Sequence, residues 1–535
     1  MHLSRAPQAA GGGGAAFHAM ISAMSRGTSG TAAGACRPGA GGPRPRRAAG
    51  MMEAAGTALQ AAVLAAFLAC TPAAASGVVV PDIGTAGAHG ITVAREQQYG
   101  EYFMRTVRAG GGVIDDPVLT EYLSTVGGRL VASAGNVRFP FEFFLSRDDT
   151  FNAAAFLGGK IKVNTGLFRF TDSEDELAAV LAHEVVHVTQ RHIARFVEAR
   201  SSHTALTTTG LIGAIAMSII NPMVGMAAFS TAVGMAAQTS INFTRDNELE
   251  ADRLSIALLD RAGYSPHAAV ELFRKLDAMQ TSAASPALAL LRDHPLSAER
   301  LSEAAGQALS YRRRSPPPRP DFELARARVA VRYGPHRDLQ ELRADLEGGF
   351  SRHSGHYRNY ALALIALEQH DTAAARSRLA QLGASLQHNL FVVDVLTDLD
   401  LSDRSYQAAI SRLQALQRRM PRNRVVIINL ANAYLQSGRI RQARDLLTAH
   451  LRQSPGSLPA LSLLAEAQDQ LGDRCGALQT QGELLEFGGN HNLATARLNE
   501  ALQVCGGRLE RERIKARVVQ IAQQRAFDEG LSRGP

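Results

Sequence analysis

Two histidines and a glutamate in the segment HEVVH, residues 183–187, have the types and spacing of a metal-dependent hydrolase. On a helix, residues four positions apart lie one turn apart on the same face, so His183 and His187 can reach one ion. Such a pair binds zinc, and Glu184 beside it is the candidate general base. A helix with two inert surface or core histidines is the alternative.

The helix that must carry these residues is predicted to begin after Ser173. Ser173 and Glu176 fit a capping box, in which the two side chains satisfy backbone N–H groups at the helix start. Apolar residues recur along the segment and supply a face that can pack on a core; they are Leu177, Val180, Leu181, Val185 and Val188. The sequence therefore predicts an amphipathic helix.

A catalytic zinc site needs a third protein ligand and leaves one position for water. The segment 244–252 contains Glu248 and Asp252, four positions apart, and a helix would present both from one side. Glu248 is the predicted ligand, and Asp252 is predicted to orient a ligand imidazole or to pass a proton. A solvated acidic helix face is the alternative, and it is the fate predicted for Glu250.

These motifs resemble the gluzincin metalloproteases that include the CAAX-prenyl endopeptidases and the HtpX heat-shock proteases. The similarity extends to an Asn-Ala hairpin and edge strand at 151–168, to QRH at 190–192 and to HPLSAER at 294–300. The resemblance implies one Zn²⁺ per subunit, held by His183, His187 and Glu248. It also implies that Glu184 is the catalytic base and that Asp252 is the proton donor.

The chemistry expected of such a site is peptide hydrolysis, in which Glu184 accepts a proton from the attacking water. Polar and apolar residues alternate over 160–163, ahead of the helix that carries HEVVH, and this segment is predicted to form an edge strand. A substrate could pair with that edge, so that recognition would depend on backbone shape more than on side-chain identity. An ordinary sheet edge is the alternative.

His294 precedes Pro295, so it is predicted to lie on an extended or turn backbone. From this loop the imidazole could take the open position of the metal and exclude water, which would make a gated protease. It could equally hydrogen-bond within the fold or contact substrate. Arg300 is a weaker candidate for transition-state or structural support.

The chain has 535 residues and a formal charge of +8. Residues 1–76 hold six arginines against one glutamate, so they contribute +5, and the remaining 459 residues carry only +3. No nucleic-acid-binding motif is present, and nucleic acid is not a predicted partner. Residues 1–76 are predicted to be a low-complexity leader and secretory signal peptide, because an apolar run at 58–68 precedes small residues at 73–76.

The rest of the chain is predicted to form a metalloprotease domain at 77–310, a Pro/Arg-rich linker at 311–320 and a tetratricopeptide-repeat domain at 321–535. Leucines and alanines recur there at intervals of 34 residues; they are Leu362, Leu396, Leu430, Leu464 and Leu498, and Ala375, Ala409, Ala443 and Ala477. Stacked repeats of this kind bind extended peptides or partner proteins on a concave surface.

Of the four cysteines, Cys475 and Cys505 lie beyond the leader. In the repeat register, Cys475 lies near the start of one helix and Cys505 near the end of the next, and antiparallel neighbours bring such ends together. An exported chain therefore favours a Cys475–Cys505 disulfide. Two buried thiols are the alternative.

The 41 residues of 204–244 contain no charged residue and no histidine. One membrane crossing would separate Glu248 from His183, and Asn221-Pro222 splits the stretch into halves too short to cross. We predict a helical hairpin or loop over the active site, acting as a lid or as an apolar patch in peripheral contact with membrane or hydrophobic clients. A plain core helix is the alternative.

The predicted fold is an α+β zincin-like metalloprotease domain, mostly helical with a small sheet, followed by an all-α tetratricopeptide solenoid. The resemblance implies a periplasmic zinc endopeptidase of protein quality control that assists outer-membrane β-barrel assembly and degrades misassembled barrels. Its implied partners are unfolded or misassembled outer-membrane proteins and, through the repeats, the assembly machinery. The alternative is a chaperone or scaffold with a shielded, rarely used protease site.

Overall fold

The computed structural model describes residues 91–201, 208–220, 245–279, 290–291, 294–313, 319–335, 338–348 and 353–532. The predicted leader and signal peptide at 1–76 lie outside these residues, as do residues 314–318 of the predicted linker. The described residues belong to one structural unit. We refer to 91–313 as the N-terminal domain and to 319–532 as the repeat domain.

The described part of the N-terminal domain contains nine α-helices, one 3₁₀ helix (Leu157–Gly159) and four strands. The helices are α1 (Val93–Ala109), α2 (Pro117–Ala134), α3 (Thr165–Phe170), α4 (Glu174–Thr189), α5 (His192–Ser201), α6 (Thr208–Ile220), α7 (Arg245–Arg261), α8 (His267–Met279) and α9 (Ala298–Ala308). The strands are β1 (Val113–Ile114), β2 (Glu142–Ser146), β3 (Ala153–Phe156) and β4 (Lys160–Asn164).

The four strands form one sheet in the order β1-β2-β4-β3. The pairs β1/β2 and β3/β4 are antiparallel, whereas β2 and β4 run parallel, with Leu145 opposite Val163. The predicted edge at 160–163 is therefore wrong, since β4 is paired on both sides. In the hairpin of β3 and β4, the second strand, β4, pairs with β2. The first strand, β3, is therefore the outermost one.

Helices pack on both faces of this sheet. Ile161 and Val163 of β4 belong to an apolar cluster that includes residues of α2 and α4, and the helix α7 packs against α4. Phe144 and Phe156 belong to a second cluster with residues of α1 and α6. The helix predicted to carry the site is thus enclosed by a sheet face on one side and by helices on the others.

Twelve α-helices and one 3₁₀ helix (Ala384–Leu386) form the described part of the repeat domain. They are α10 (Pro320–Arg332), α11 (Leu339–Glu347), α12 (Gly355–Glu368), α13 (Thr372–Ala380), α14 (Leu390–Ser402), α15 (Tyr406–Arg419), α16 (Arg424–Gln436), α17 (Ile440–Leu451), α18 (Leu458–Gln470), α19 (Arg474–Phe487), α20 (His491–Val504) and α21 (Arg508–Ser532). The alanines at the 34-residue interval are all fully buried, because small side chains allow neighbouring helices to approach closely.

Both ends of the repeat domain contact the N-terminal domain. At the start, the guanidinium of Arg328 in α10 lies 2.6 Å from the carboxylate of Asp116, which caps α2. At the other end, Arg105 of α1 pairs with Asp528 of α21 at 2.8 Å. The repeats are therefore fixed to the domain that carries the motifs and do not form a separate body.

Only residues 208–220 of the predicted hairpin at 204–244 are described, and they form α6. This helix packs against α5 and the C-terminal helix α21, and its side chains Leu211, Ile212 and Ile215 are buried. The remaining residues of the stretch lie outside the described part, so their predicted placement over the active site stays a prediction. Among the described helices, none combines the length and the apolar character needed to cross a bilayer.

Candidate metal centre

The helix α4 begins where the sequence predicts. Ser173 is its N-cap, and the serine hydroxyl accepts a hydrogen bond from the backbone N–H of Glu176 at 3.2 Å. The Glu176 carboxylate reaches one residue further back than in a capping box and accepts from the N–H of Asp172. All residues from Glu174 to Val188 are buried, so α4 is a core helix on every face.

Four predicted site residues from two helices meet inside the domain. On α4, the Nε2 atoms of His183 and His187 are 2.9 Å apart. On the neighbouring α7, the carboxylate of Glu248 lies 3.4 Å from His183 Nε2 and 3.5 Å from His187 Nε2. Asp252 lies one turn later on α7, and its carboxylate is 3.0 Å from the other ring nitrogen of His183, Nδ1. The spacing of each motif on its own helix therefore brings the two imidazoles and one carboxylate to a common point.

The arrangement fits a tetrahedral metal ion. Zinc bonds to nitrogen and oxygen at about 2.0–2.2 Å, which places neighbouring ligand atoms roughly 3.4 Å apart. The donor separations of 2.9–3.5 Å bracket that value. One donor atom from each of His183, His187, Glu248 and His294 lies within 4.8 Å of the others. The donor set, two or three imidazoles and one carboxylate, is of the kind that zinc accepts in catalytic sites.

His294 approaches this point from the loop before α9. Its Nδ1 lies 3.1 Å from both carboxylate oxygens of Glu248 and 3.4 Å from His183 Nε2. Its Nε2 lies 3.4 Å from Oε1 of Glu184. The imidazole thus stands where a fourth ligand or an attacking water would be, next to the candidate base.

Glu184 is held between the sheet and the donor cluster. The backbone N–H of Ala155 in β3 donates to its Oε2 at 2.7 Å, and only 1% of the residue is exposed. Burial raises the pKa of Glu184 above its usual range. A carboxylate with a raised pKa, fixed beside the metal position, is suited to take a proton from water near neutral pH.

Asp252 is bound on both of its oxygens. Its Oδ1 lies 3.0 Å from His183 Nδ1, and Arg300 donates to both oxygens at 2.6 and 2.9 Å. Burial alone would raise the pKa of Asp252, but the hydrogen bonds from Arg300 and His183 outweigh burial and lower it. These contacts favour the role of orienting the His183 ring over that of proton donor, and they make Arg300 a support of that carboxylate.

The sequence did not predict that a second histidine contacts His187, one of the candidate ligands. His192 Nδ1 lies 2.7 Å from His187 Nδ1, and His192 Nε2 faces Glu250. The solvated position predicted for Glu250 is wrong: hydrogen bonds from His192 and Arg195 lower the pKa of this carboxyl to about 2. The similarity of QRH at 190–192 to the family motif was the one sequence feature that pointed to His192. Helix periodicity does not place His192 beside His187.

An apolar cavity of about 40 Å³ adjoins the site beside His183 and Glu184. Its remaining wall comes mainly from α4 and α8; the lining includes Ala179, Val180, Leu272, Phe273, Leu276 and Leu290. A cavity of this character next to a hydrolytic centre can accept an apolar side chain.

The two cysteines beyond the predicted leader are joined. Cys475 near the start of α19 forms a disulfide with Cys505, which follows α20, and their Cα atoms are 5.1 Å apart. The bond closes a sequence separation of 30 residues within the repeat domain. It joins two of the last helices of the described residues, whereas the candidate metal ligands lie on α4 and α7.

Two family models match the chain. The model of peptidase family M48 matches residues 117–308, and a tetratricopeptide-repeat model matches residues 400–466. The chain is 36% identical over 455 residues to the β-barrel assembly-enhancing protease of Escherichia coli K12, which covers 84% of this chain and 92% of that protein. The protein of the same name from Yersinia pestis is 37% identical over 448 residues, 83% of this chain and 91% of that protein.

Another relative matches a smaller part of the chain. The mitochondrial metalloendopeptidase OMA1 of Schizosaccharomyces pombe is 33% identical over 187 residues, 34% of this chain and 51% of that protein. The predicted family resemblance and the predicted fold class are both confirmed. The chain belongs to peptidase family M48 and is a metallopeptidase whose α+β domain is followed by tetratricopeptide repeats.

Proposed function

We propose that this chain is a zinc endopeptidase in which His183, His187 and Glu248 hold the ion and Glu184 is the general base. The observation that carries the proposal is the convergence of these donor atoms within 4.8 Å, with Glu184 beside them. Bound zinc would supply Lewis acidity toward a peptide carbonyl and a water. Glu184 would accept the proton of that water and deliver it to the leaving amine.

The substrate would bind as an extended chain along β3. In β3, only every second residue directs its backbone N–H and C=O groups toward β4. This alternation is fixed just before the strand, where the carbonyl of Asn152 accepts a hydrogen bond from the N–H of Asn164. Ala153 and Ala155 therefore direct their backbone groups away from β4, and the N–H of Ala155 points instead at Glu184. A peptide paired with this side of β3 would run past the candidate base.

The apolar cavity beside His183 and Glu184 supports a preference for substrates with an apolar side chain next to the cleaved bond. Backbone pairing supplies the rest of the recognition without regard to sequence. Together these features favour unfolded polypeptides, whose strands and apolar side chains are accessible, over folded ones.

The proposed cellular role is quality control of outer-membrane β-barrel proteins in the periplasm. Relatives that span most of the chain are named β-barrel assembly-enhancing proteases, and a disulfide within the repeats suits an exported protein. The repeat domain would bind unfolded barrel proteins or the assembly machinery. Degradation would then act on barrels that fail to assemble.

The position of His294 favours a second function for the same chain. An imidazole at the fourth side of the donor cluster would keep water out, and a protease held in that state would act mainly as a chaperone or scaffold. In this form of the proposal, cleavage is restricted to clients that displace His294.

The test is a digestion of casein and of an unfolded β-barrel protein by the full chain. We expect cleavage that a chelator abolishes and stoichiometric Zn²⁺ restores. Glu184→Gln should bind zinc as tightly as the wild type and cleave about 10²–10⁴-fold more slowly. Cleavage that survives complete zinc removal, or a Glu184→Gln variant as active as the wild type, would refute the proposed chemistry.

A further inference from the structure

The ring of His187 is held from behind by a second histidine. His192 Nδ1 lies 2.7 Å from His187 Nδ1, and the two rings meet edge to face with their centroids 4.7 Å apart. Both side chains are fully enclosed, with a side-chain exposure of 0% for each. A contact this short between two ring nitrogens requires a proton between them.

A turn between two helices creates this contact. On a continuous helix, a residue five positions after His187 would be rotated by about 140° from it. Instead α4 ends at Thr189, and Arg191 adopts a left-handed backbone with φ of 56°. The Arg191 guanidinium donates to Glu96 at 2.7 Å and to the carbonyl of Ile91, which fixes the turn. α5 then starts with His192 beneath the His187 ring.

The other nitrogen of His192 faces a carboxylate from the helix that carries the third ligand. His192 Nε2 lies 3.4 Å from Glu250 Oε2, and Arg195 donates to the same oxygen at 2.9 Å. Arg195 also donates to Asn247 of α7 at 2.8 Å. Glu250 is two residues beyond Glu248, so this cluster connects α5 to α7 beside the donor atoms.

We propose that Glu250 and His192 form a hydrogen-bond relay that fixes the tautomer and the ring orientation of His187. Glu250 accepts from His192 Nε2–H, and His192 Nδ1 accepts from His187 Nδ1–H. The lone pair of His187 Nε2 is then directed at the point shared with His183 and Glu248. His192 and Glu250 are positioning residues, since they act on the ion only through His187.

The relay complements the support of the other imidazole. Asp252 accepts from His183 Nδ1 at 3.0 Å, so each ligand histidine has an acceptor at its Nδ1, one a carboxylate and one an imidazole. Partners of this kind commonly contribute 10–100-fold to metal affinity. The inference rests on the proposed function, because it assigns a role around a site that is proposed there to hold zinc.

The experiment measures the Kd of the metal-free full chain for Zn²⁺ by competition with a chromophoric chelator. His192→Phe keeps a ring but removes the acceptor, and we expect it to weaken zinc binding about 10–100-fold. His192→Asn places a carbonyl oxygen near the position of Nδ1 and should recover most of the affinity. Glu250→Leu should weaken binding less than His192→Phe does. His267→Phe, which removes a half-buried imidazole bonded to the Tyr311 carbonyl, is the matched control and should bind like the wild type.

A His192→Phe variant with wild-type affinity would overturn the relay, and so would equal losses in the Phe and Asn variants, which would mark a packing role. Should His192→Phe fail to fold, Glu250→Leu decides: wild-type affinity there overturns the relay. A wild-type chain that binds no zinc would refute the proposed function itself, so the two failures are distinguishable.

Discussion

Nε2 of His294 lies 3.4 Å from Oε1 of Glu184, so a loop histidine stands against the candidate base of the site. The same ring contacts Glu248 through Nδ1 at 3.1 Å. A substrate carbonyl and an attacking water need the space between these two carboxylates. We therefore propose that the His294 ring has to leave before cleavage and that His294 acts as a gate.

Replacing His294 with alanine should raise the rate of casein cleavage. If the closed form is about nine-tenths populated in the wild type, opening the site permanently raises activity by about tenfold. The rate of fluorescent casein digestion at saturating zinc measures the effect. His267→Ala is the control and should not change the rate. An unchanged activity in His294→Ala would contradict gating, and an abolished activity would show that His294 contributes to substrate binding or to the fold instead.

Arg328 is expected to be essential for the attachment of the repeats. Its side chain is 3% exposed, and the guanidinium pairs with Asp116 at 2.6 Å and with Asp394 at 2.7 Å. Arg328→Leu would leave two buried carboxylates without their cation, which costs about 3–5 kcal/mol. Urea unfolding measures the loss. Arg444→Leu, which breaks an exposed pair with Asp445, should cost less than about 1 kcal/mol. Equal stability of the two variants would contradict the buried network.

The disulfide should stabilise the end of the repeat domain. Closing a separation of 30 residues restricts the unfolded chain and contributes about 3–4 kcal/mol on the loop-entropy model. In a chain that lacks residues 1–76, a reducing agent should lower the unfolding midpoint. The same agent should have no effect on a Cys475→Ser/Cys505→Ser variant. If the reducing agent does not change the unfolding midpoint of the protein with both cysteines, the cysteines are not paired.

The contact of α20 with the C-terminal helix should weaken in alkali. Hydrogen bonds from His491 to Asp528 and Glu486 raise the pKa of this imidazole from 6.5 to about 9. Because the folded pKa lies above the ordinary value, the stabilisation is complete below pH 6.5 and is lost as the pH rises through 9. Asp528, whose pKa is lowered to about 2, stays ionised throughout that range.

His491→Gln removes the titrating group and is the variant for this test. The difference in unfolding midpoint between the wild type and His491→Gln should be largest near pH 6 and should shrink toward about pH 10. A difference that is constant across this range would mean that the charge of His491 does not stabilise the fold.

The parts of the site that follow from local helix geometry could be predicted from the sequence. His183 and His187, and likewise Glu248 and Asp252, are four residues apart, and a helix alone places each pair on one side. The 34-residue interval similarly predicted the buried alanines of the repeats, because each repeat places them at the same helix crossing. In both cases a regular spacing in the sequence is enough to predict which side chains share a position in the fold.

What the sequence did not predict depends on how separate elements meet. His192 reaches His187 only because Arg191 turns the chain, and Glu250 meets His192 across two helices. The outermost strand is β3 and not the predicted β4, because β4 pairs with β2. The alternation of polar and apolar residues within the hairpin does not show which of its strands pairs with the rest of the sheet. The buried pair of Asp116 and Arg328, 212 residues apart, likewise has no local signature.

Anomalous diffraction at the zinc absorption edge, from crystals of the full chain grown with Zn²⁺, tests the proposed metal site directly. We predict a single strong peak per chain, about 2.0–2.2 Å from His183 Nε2, His187 Nε2 and the carboxylate of Glu248. The peak should be absent in crystals of His187→Ala grown under the same conditions. A wild-type chain that shows no peak at this position, or that binds its zinc elsewhere, would show that these three side chains are not the zinc ligands.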